Sequence, residues 1–107
     1  MTLSGKCGLV TGSTSGIGLG IARSLAQQGV NIMLNGFGET SEITDIKNEL
    51  ARYGNVVVAY SDADLSHQKG ADQLIDATMD QLGGLDILVN NAGIQHTDRV
   101  EDFPPEK

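Results

Sequence analysis

Cysteine, tryptophan and proline are nearly missing from this sequence: it has one Cys, no Trp and two Pro, with two Tyr and two Phe as its only aromatics. A single thiol, Cys7, can form neither an internal disulfide nor a cysteine-built zinc site, and a reduced, cytoplasmic setting is the expectation. Cations are scarce as well. Seven Lys and Arg stand against fourteen Asp and Glu, a formal net charge of −7, which speaks against general binding to nucleic acid or to anionic membrane surfaces. No apolar run approaches the roughly 18 residues of a membrane span. The opening residues, 1–6, carry no apolar signal core or cleavage site. Charged residues make up 20% and apolar ones 39%, a balance of folded rather than disordered chains, and 107 residues allow one modest core.

What the sequence has in excess is glycine, 14 residues, about twice the ordinary share. The glycines punctuate an alternation of short apolar runs and helical patterns. Residues 7–10 read as a strand, followed by a glycine-rich turn from Gly12 to Gly18. Ile17, Ile21 and Leu25, with Ala22 and Ala26 beside them, form a helical stripe that Gly29 stops. Val30, Ile32 and Leu34 read as a second strand; Ile43, Ile46, Leu50 and Tyr53 mark a second helix ended by Gly54; residues 56–60 form a third strand. Ser66 is placed to cap a third helix, with Ala71, Leu74, Ile75, Thr78, Met79 and Leu82 as its stripe and Gly83-Gly84 as its stop. Met33 and Met79 are expected in the core. Residues 85–89 make a fourth strand that runs into Asn90-Asn91-Ala92-Gly93. Strands separated by helices pair in parallel through right-handed crossovers. The expected fold is therefore α/β, a Rossmann-like doubly wound parallel sheet of about four strands in the order 3-2-1-4, with helices on both faces. A ligand crevice belongs at the carboxyl ends of strands 1 and 4, where the chain reverses direction across the sheet.

The strongest motif falls at that crevice: Thr11-Gly12-Ser13-Thr14-Ser15-Gly16-Ile17-Gly18. Gly12 suits a tight turn, Gly16 a close backbone approach to a pyrophosphate, and Gly18 close packing of helix on strand. The helix amino terminus offers free N–H groups and the positive end of its dipole, and Ser13, Thr14 and Ser15 add hydroxyls. The bland alternative is a tight structural turn, which the strand–turn–helix context outweighs. No Gly-Lys-Ser/Thr ending is present, so a P-loop nucleotidase is disfavoured.

The end of the second strand should choose between nicotinamide cofactors, an acid binding the ribose 2′-hydroxyl of NAD and an arginine the 2′-phosphate of NADP. Here the position reads Asn35-Gly36-Phe37, with no arginine between Arg23 and Arg52 and with Glu39 close by. A 2′-phosphate finds no cationic partner, so NAD is favoured over NADP. Phe37 can flank the adenine–ribose end or be a plain surface aromatic. Asp64 can accept from the adenine amino group while Leu65 covers the ring, or the pair Asp62 and Asp64 can simply favour a helix amino terminus. Asn amides after the fourth strand can tie neighbouring strands together or make an ordinary turn. Gln95 is placed to meet a substrate carboxylate; His96, without a visible partner, and His67 read as surface, and Cys7 as inert.

With these residues assembled, the chain resembles the N-terminal part of a short-chain dehydrogenase/reductase. Residues 11–18 match the family's T-G-x-x-x-G-I-G and residues 90–93 its N-N-A-G. Leu34-Asn35-Gly36-Phe37-Gly38, the stretch 90–96 and Val100-Glu101-Asp102-Phe103-Pro104 are similar to D-3-hydroxybutyrate dehydrogenases of bacterial type. The resemblance implies NAD-linked oxidation of 3-hydroxybutyrate to acetoacetate. It implies pyrophosphate binding at residues 12–18, adenosine contacts at Phe37, Asp64 and Leu65, nicotinamide-ribose contacts at Asn91 with Ala92 and Gly93, and a substrate contact at Gln95. A homo-oligomer is the family's habit.

Two departures qualify it. Thr97-Asp98-Arg99 brings charge where relatives carry a small or apolar run. The family's catalytic Ser and Tyr-x-x-x-Lys are absent, since neither Tyr53 nor Tyr60 has Lys four residues later. The expectation is the cofactor half of a dehydrogenase, residues 1–107 of a longer domain, inactive alone. The alternatives are a stand-alone nucleotide-binding or interaction module and, more weakly, an acidic signalling domain of flavodoxin-like topology, which would want acids after the first strand.

Overall fold

The four apolar runs form the strands of one sheet in the computed structural model, which describes residues 3–91. The order along the chain is β1 (Cys7–Val10), α1 (Gly16–Gln27), β2 (Asn31–Asn35), α2 (Thr40–Ala51), β3 (Val58–Ser61), α3 (Gln68–Leu82) and β4 (Ile87–Val89). Every pairing is parallel and the sheet runs β3-β2-β1-β4, the order expected from strands joined by helical crossovers. Side chains alternate between the two faces. Val10, Ile32 and Leu34 meet Ala22, Ala26 and Leu50 beneath α1 and α2. Leu9, Met33 and Ala59, which share one register row, meet Leu74 beneath α3. Helices therefore cover both faces. No described helix is long and apolar enough to cross a membrane.

The strand starts shift from those read in the sequence, β3 beginning at Val58 and β4 at Ile87. The start of β4 is fastened to β1 instead by Asp86, whose carboxylate accepts the Cys7 N–H (2.9 Å) and whose own N–H donates to the Cys7 carbonyl (2.8 Å). The Cys7 thiol is buried and donates to the Leu82 carbonyl.

The helix faces also differ from the expected stripes. Helix α1 buries Gly18, Ala22 and Ala26, while Ile17 is 70% exposed and Ile21 and Leu25 only flank the core. Small residues sit on the contact line because the helix lies so near the β1 turn. Helix α2 stops at Ala51, short of Tyr53. Helix α3 is led by His67 rather than capped by Ser66, whose hydroxyl donates to Asp64 (2.7 Å). Met79, expected in the core, is 48% exposed, and Ile75 is 41% exposed. Helix α3 rests on β2 and β3, with Leu74 against Met33 and Ala59; Ile75 lines the same cleft as Leu88 of β4 rather than packing in the core. Gly83 ends the helix in the left-handed region, as expected.

Candidate functional site

The carboxyl ends of the strands frame an open cleft of about 730 Å³, at the place where the chain reverses across the sheet. Its described lining carries one charged side chain, Asp64, and no Lys, Arg, His, Tyr or Cys.

One wall is the glycine turn. Gly12 and Gly16 have φ of +60° and +61°, values that favour glycine. Helix α1 begins directly, with Ser15 extended at the N-cap position and no side chain bonded to the first turn. Its leading N–H groups and dipole thus lack a side-chain cap. By contrast, the Glu42 carboxylate reaches back to the Glu39 N–H at the head of α2. A Cβ at Gly16 would meet no atom within 4 Å, but one at Gly18 would lie 2.1 Å from the Gly12 carbonyl oxygen and 2.5 Å from Asn91 Nδ2. Gly18 is therefore the packing glycine the motif called for. Asn91, 1% exposed, donates from Nδ2 to the Gly12 carbonyl (3.0 Å), and its Oδ1 is buried without a hydrogen-bond partner among the described residues.

The hydroxyls of the turn do not all point outward. Ser13 is fully buried and faces Asn35: its N–H (2.7 Å) and hydroxyl (3.3 Å) donate to the Asn35 carbonyl, and its Oγ accepts the Asn35 N–H (2.9 Å). Thr14 donates to the Phe37 carbonyl (3.0 Å). Ser15 alone of the three is exposed.

Asn35 stands at the position read as choosing the cofactor, but its structural role is not legible in the sequence: it joins three strand ends. Its Nδ2 donates to the carbonyls of Ser61 and Ala63 (both 3.2 Å), its Oδ1 lies 3.5 Å from the Gly12 N–H, and it is 3% exposed. The available signal was a polar residue closing an apolar strand at the crevice, the same signal that drew attention to Asn90 and Asn91.

The opposite wall is the loop after β3. The Asp64 carboxylate accepts the Ser66 N–H (2.9 Å) and hydroxyl (2.7 Å); these bonds hold its pKa below the usual aspartate range. The loop is seated by Gly70, where a Cβ would lie 1.8 Å from the Asp64 carbonyl oxygen. Gly70 also escaped the sequence reading, being one glycine inside a helical pattern. Leu65 is half-buried beside Asp64, and Phe37 is 72% exposed at the rim. The Tyr60 hydroxyl donates to the Gly36 carbonyl; burial, with Asp62 nearby, raises its pKa, so it stays protonated. Ala92, Gly93, Gln95 and His96 lie outside the described residues. No group of His, Cys, Asp or Glu able to hold a metal ion occurs among those described.

A parallel sheet with a glycine turn feeding an uncapped helix at its reversal point defines a doubly wound nucleotide-binding domain. Comparison with known proteins then fixes the family. The model of the short chain dehydrogenases matches residues 6–107, and the chain belongs to that family. It is 52% identical over 106 residues to the D-beta-hydroxybutyrate dehydrogenase of Cupriavidus necator, covering 98% of this chain and 40% of that protein. The Rhizobium meliloti enzyme of the same name is 46% identical over 102 residues, 95% of this chain and 40% of the relative. The chain thus spans about 40% of the length of the curated relatives it matches.

Among solved structures, a Sinorhizobium meliloti protein assigned as a short-chain dehydrogenase/reductase superposes with a TM-score of 0.77 at 36% identity, over 96% of this chain and 44% of its own. The L-sorbose reductase of Gluconobacter frateurii, complexed with NADPH and L-sorbose, gives 0.75 at 37% identity, over 84% and 34%. An NADH-dependent reductase complexed with NAD gives 0.74 at 31% identity, over 80% and 35%. The family consists of oxidoreductases acting on CH–OH groups with a nicotinamide cofactor, and these neighbours hold both the phosphorylated and the unphosphorylated form.

Proposed function

We propose that residues 1–107 are the N-terminal, cofactor-binding portion of an NAD-linked short-chain dehydrogenase that oxidises 3-hydroxybutyrate to acetoacetate. The observation that carries the cofactor half of this reading is the uncapped amino end of α1 opening on a cleft whose described lining has no cation. An uncapped helix end is suited to a pyrophosphate. The residues present fit the group: Gly16 leaves room for a close approach, and the buried Asn91 amide oxygen, without a hydrogen-bond partner among the described residues, suits a ribose hydroxyl as donor.

In this reading Gly16, Ile17 and Gly18 hold the pyrophosphate through backbone N–H groups and Ser15 through its hydroxyl, while Gly12, whose N–H faces Asn35 Oδ1, makes the tight turn. Ser13 and Thr14, whose hydroxyls turn to β2 and its following loop, shape the turn rather than donate to phosphate. Phe37 flanks the adenosine, Leu65 covers the adenine, and the ionised Asp64 accepts from its amino group. Asn91, Ala92 and Gly93 lie by the nicotinamide ribose, and Gln95 meets the substrate carboxylate. The bound cofactor supplies the hydride acceptor. The described cleft offers no group suited to take the hydroxyl proton, because its one titratable side chain is the Asp64 carboxylate, held in the weakly basic range. The support for the substrate is the identity to D-beta-hydroxybutyrate dehydrogenases. The buried free thiol of Cys7 suits a reducing, cytoplasmic compartment.

Calorimetric titration of the 107-residue chain with NAD and NADP tests the reading. Heat of binding with NAD at least tenfold tighter than with NADP supports it, while 3-hydroxybutyrate with NAD yields no NADH from this chain alone. A cooperatively melting chain that binds neither dinucleotide overturns the cofactor role. The second reading is a nucleotide-binding module without catalysis, and what supports it is that the described cleft lining holds no titratable side chain but Asp64. It predicts that a polypeptide extended to the relatives' full length still forms no NADH.

A further inference from the structure

Phe37 is 72% exposed at the rim of the cleft and stands between two glycines, Gly36 and Gly38. Glycine on both sides gives such a segment an unusually wide choice of backbone conformations. Toward α2 the loop borders a second cavity, of about 340 Å³, which Gly38, Thr40, Ile43, Thr44 and Tyr60 help to line. Among the described residues two side-chain hydrogen bonds fasten this loop. The Thr14 hydroxyl donates to the Phe37 carbonyl at 3.0 Å, and the Tyr60 hydroxyl donates to the Gly36 carbonyl. The Tyr60 ring is itself anchored: it pairs in register with Leu34 and flanks the core beneath α1 and α2. Burial, with Asp62 nearby, keeps its hydroxyl protonated and able to donate.

We infer that Tyr60 is a positioning residue for the adenosine end of the cofactor: its hydroxyl, held from β3, fixes the Gly36 carbonyl and so keeps Phe37 in place before the cofactor arrives. The inference rests on the dinucleotide-binding reading above, in which Phe37 flanks the adenosine, and deepens it. Tyr60 does not line the main cleft, so it acts through the loop and not by touching the ligand. A segment already ordered in the free protein loses less conformational freedom on binding. The tie therefore bears on affinity for adenosine, which both dinucleotides carry, and not on the choice between them. In the sequence Tyr60 is an apolar-run residue without Lys four positions later; the structure divides it into a ring that belongs to the core and a hydroxyl that belongs to the site.

The test is calorimetric titration of the 107-residue chain with NAD, wild type beside Tyr60→Phe, Phe37→Ala and the double variant, each first melted to show that it is folded. Tyr60→Phe keeps the ring and removes only the hydroxyl; with one hydrogen bond's net worth of order lost, NAD should bind about fivefold more weakly. In the Phe37→Ala background the same substitution should change NAD affinity less than twofold, because no ring is left to place. A merely structural role acts equally in both backgrounds, so an equal loss in the two overturns the inference, as does a folded Tyr60→Phe chain that binds NAD as wild type does. Should a variant not melt cooperatively or bind too weakly to titrate, amide relaxation of the free wild type decides: Phe37 and Gly38 are expected to be as ordered as the helices, with order parameters of about 0.85, and amides more mobile than the helices overturn the inference. Wild type that binds neither NAD nor NADP overturns the cofactor reading and this inference together, whereas wild type that binds NAD with an affinity indifferent to residue 60 overturns the inference alone.

Discussion

At the scale of single residues, the cleft is held in shape by side chains that would not be guessed to hold anything. Asn35 is the clearest. Replacing it with Leu leaves the Ser61 and Ala63 carbonyls and the Gly12 N–H to find other partners. With each unpaired buried group costing about 1–3 kcal/mol, Asn35→Leu should destabilise the chain by roughly 3 kcal/mol, read as a lower midpoint in urea with an unchanged slope. Gly18→Ala acts by volume instead. Its Cβ meets a backbone carbonyl at 2.1 Å and the Asn91 amide at 2.5 Å, and neither yields easily, so a loss of about 3 kcal/mol is expected from overpacking. The same melt should show cofactor no longer raising stability, since the α1 turn must move. Gly18 was legible because its spacing within residues 11–18 has a packing reason. Asn35 was not, because a polar residue at a strand end reads alike whether it meets a ligand or a neighbouring carbonyl. For Ser13 and Thr14, the sequence indicates hydroxyls but not where they point, and that depends on how closely β2 approaches the turn.

Between elements, α1 and α2 are tied on their outer side by a short cluster. The Arg23 guanidinium forks onto Glu49 (2.6 and 3.2 Å), and the Tyr53 hydroxyl donates to the same carboxylate (2.6 Å). Arg23 first, then Tyr53, lower the Glu49 pKa, and Glu49 raises that of Tyr53. A carboxylate depressed on folding stabilises the folded chain above the ordinary glutamate range, and that contribution fades as pH falls through the depressed value. A phenol raised on folding contributes below the ordinary tyrosine range and fades as pH climbs through the raised value. Melting wild type beside Glu49→Gln should therefore show a small wild-type advantage from about pH 6 to 9, between the ordinary values of the two groups. The advantage narrows toward both acid and alkali; a difference that is flat with pH would show that the cluster contributes nothing through charge. The order and type of the elements were readable, since turn glycines and apolar runs set them. The faces were less so. Periodicity locates an apolar stripe to within a residue or two, but whether its edge is covered depends on what lies beside the helix. That is why Leu74 and Thr78 are buried while Ile75 and Met79 are not.

For the molecule as a whole, the exposed flank beside β4 is the feature expected to set behaviour in solution. Among the described residues β4 pairs with β1 only, and Leu88, in register with Leu9, is 59% exposed on the face that α3 leaves open. Ile75, from α3, lines the same cleft as Leu88. An apolar strand edge of this kind recruits other strands, so the 107-residue chain should self-associate as its concentration rises. Opposing this is the net charge of −7, whose repulsion between copies is screened by salt, with a Debye length near 8 Å at physiological ionic strength. Sedimentation velocity across a concentration series should then show a larger weight-average mass at high salt than at low salt. Leu88→Lys puts a charge on the edge without disturbing a buried side chain, so it should return the chain to monomer while changing stability by no more than about 0.5 kcal/mol. A wild-type chain that stays monomeric at high concentration and high salt would mean that the β4 edge is already covered. Association that persists unchanged in Leu88→Lys would place the contact elsewhere on the molecule.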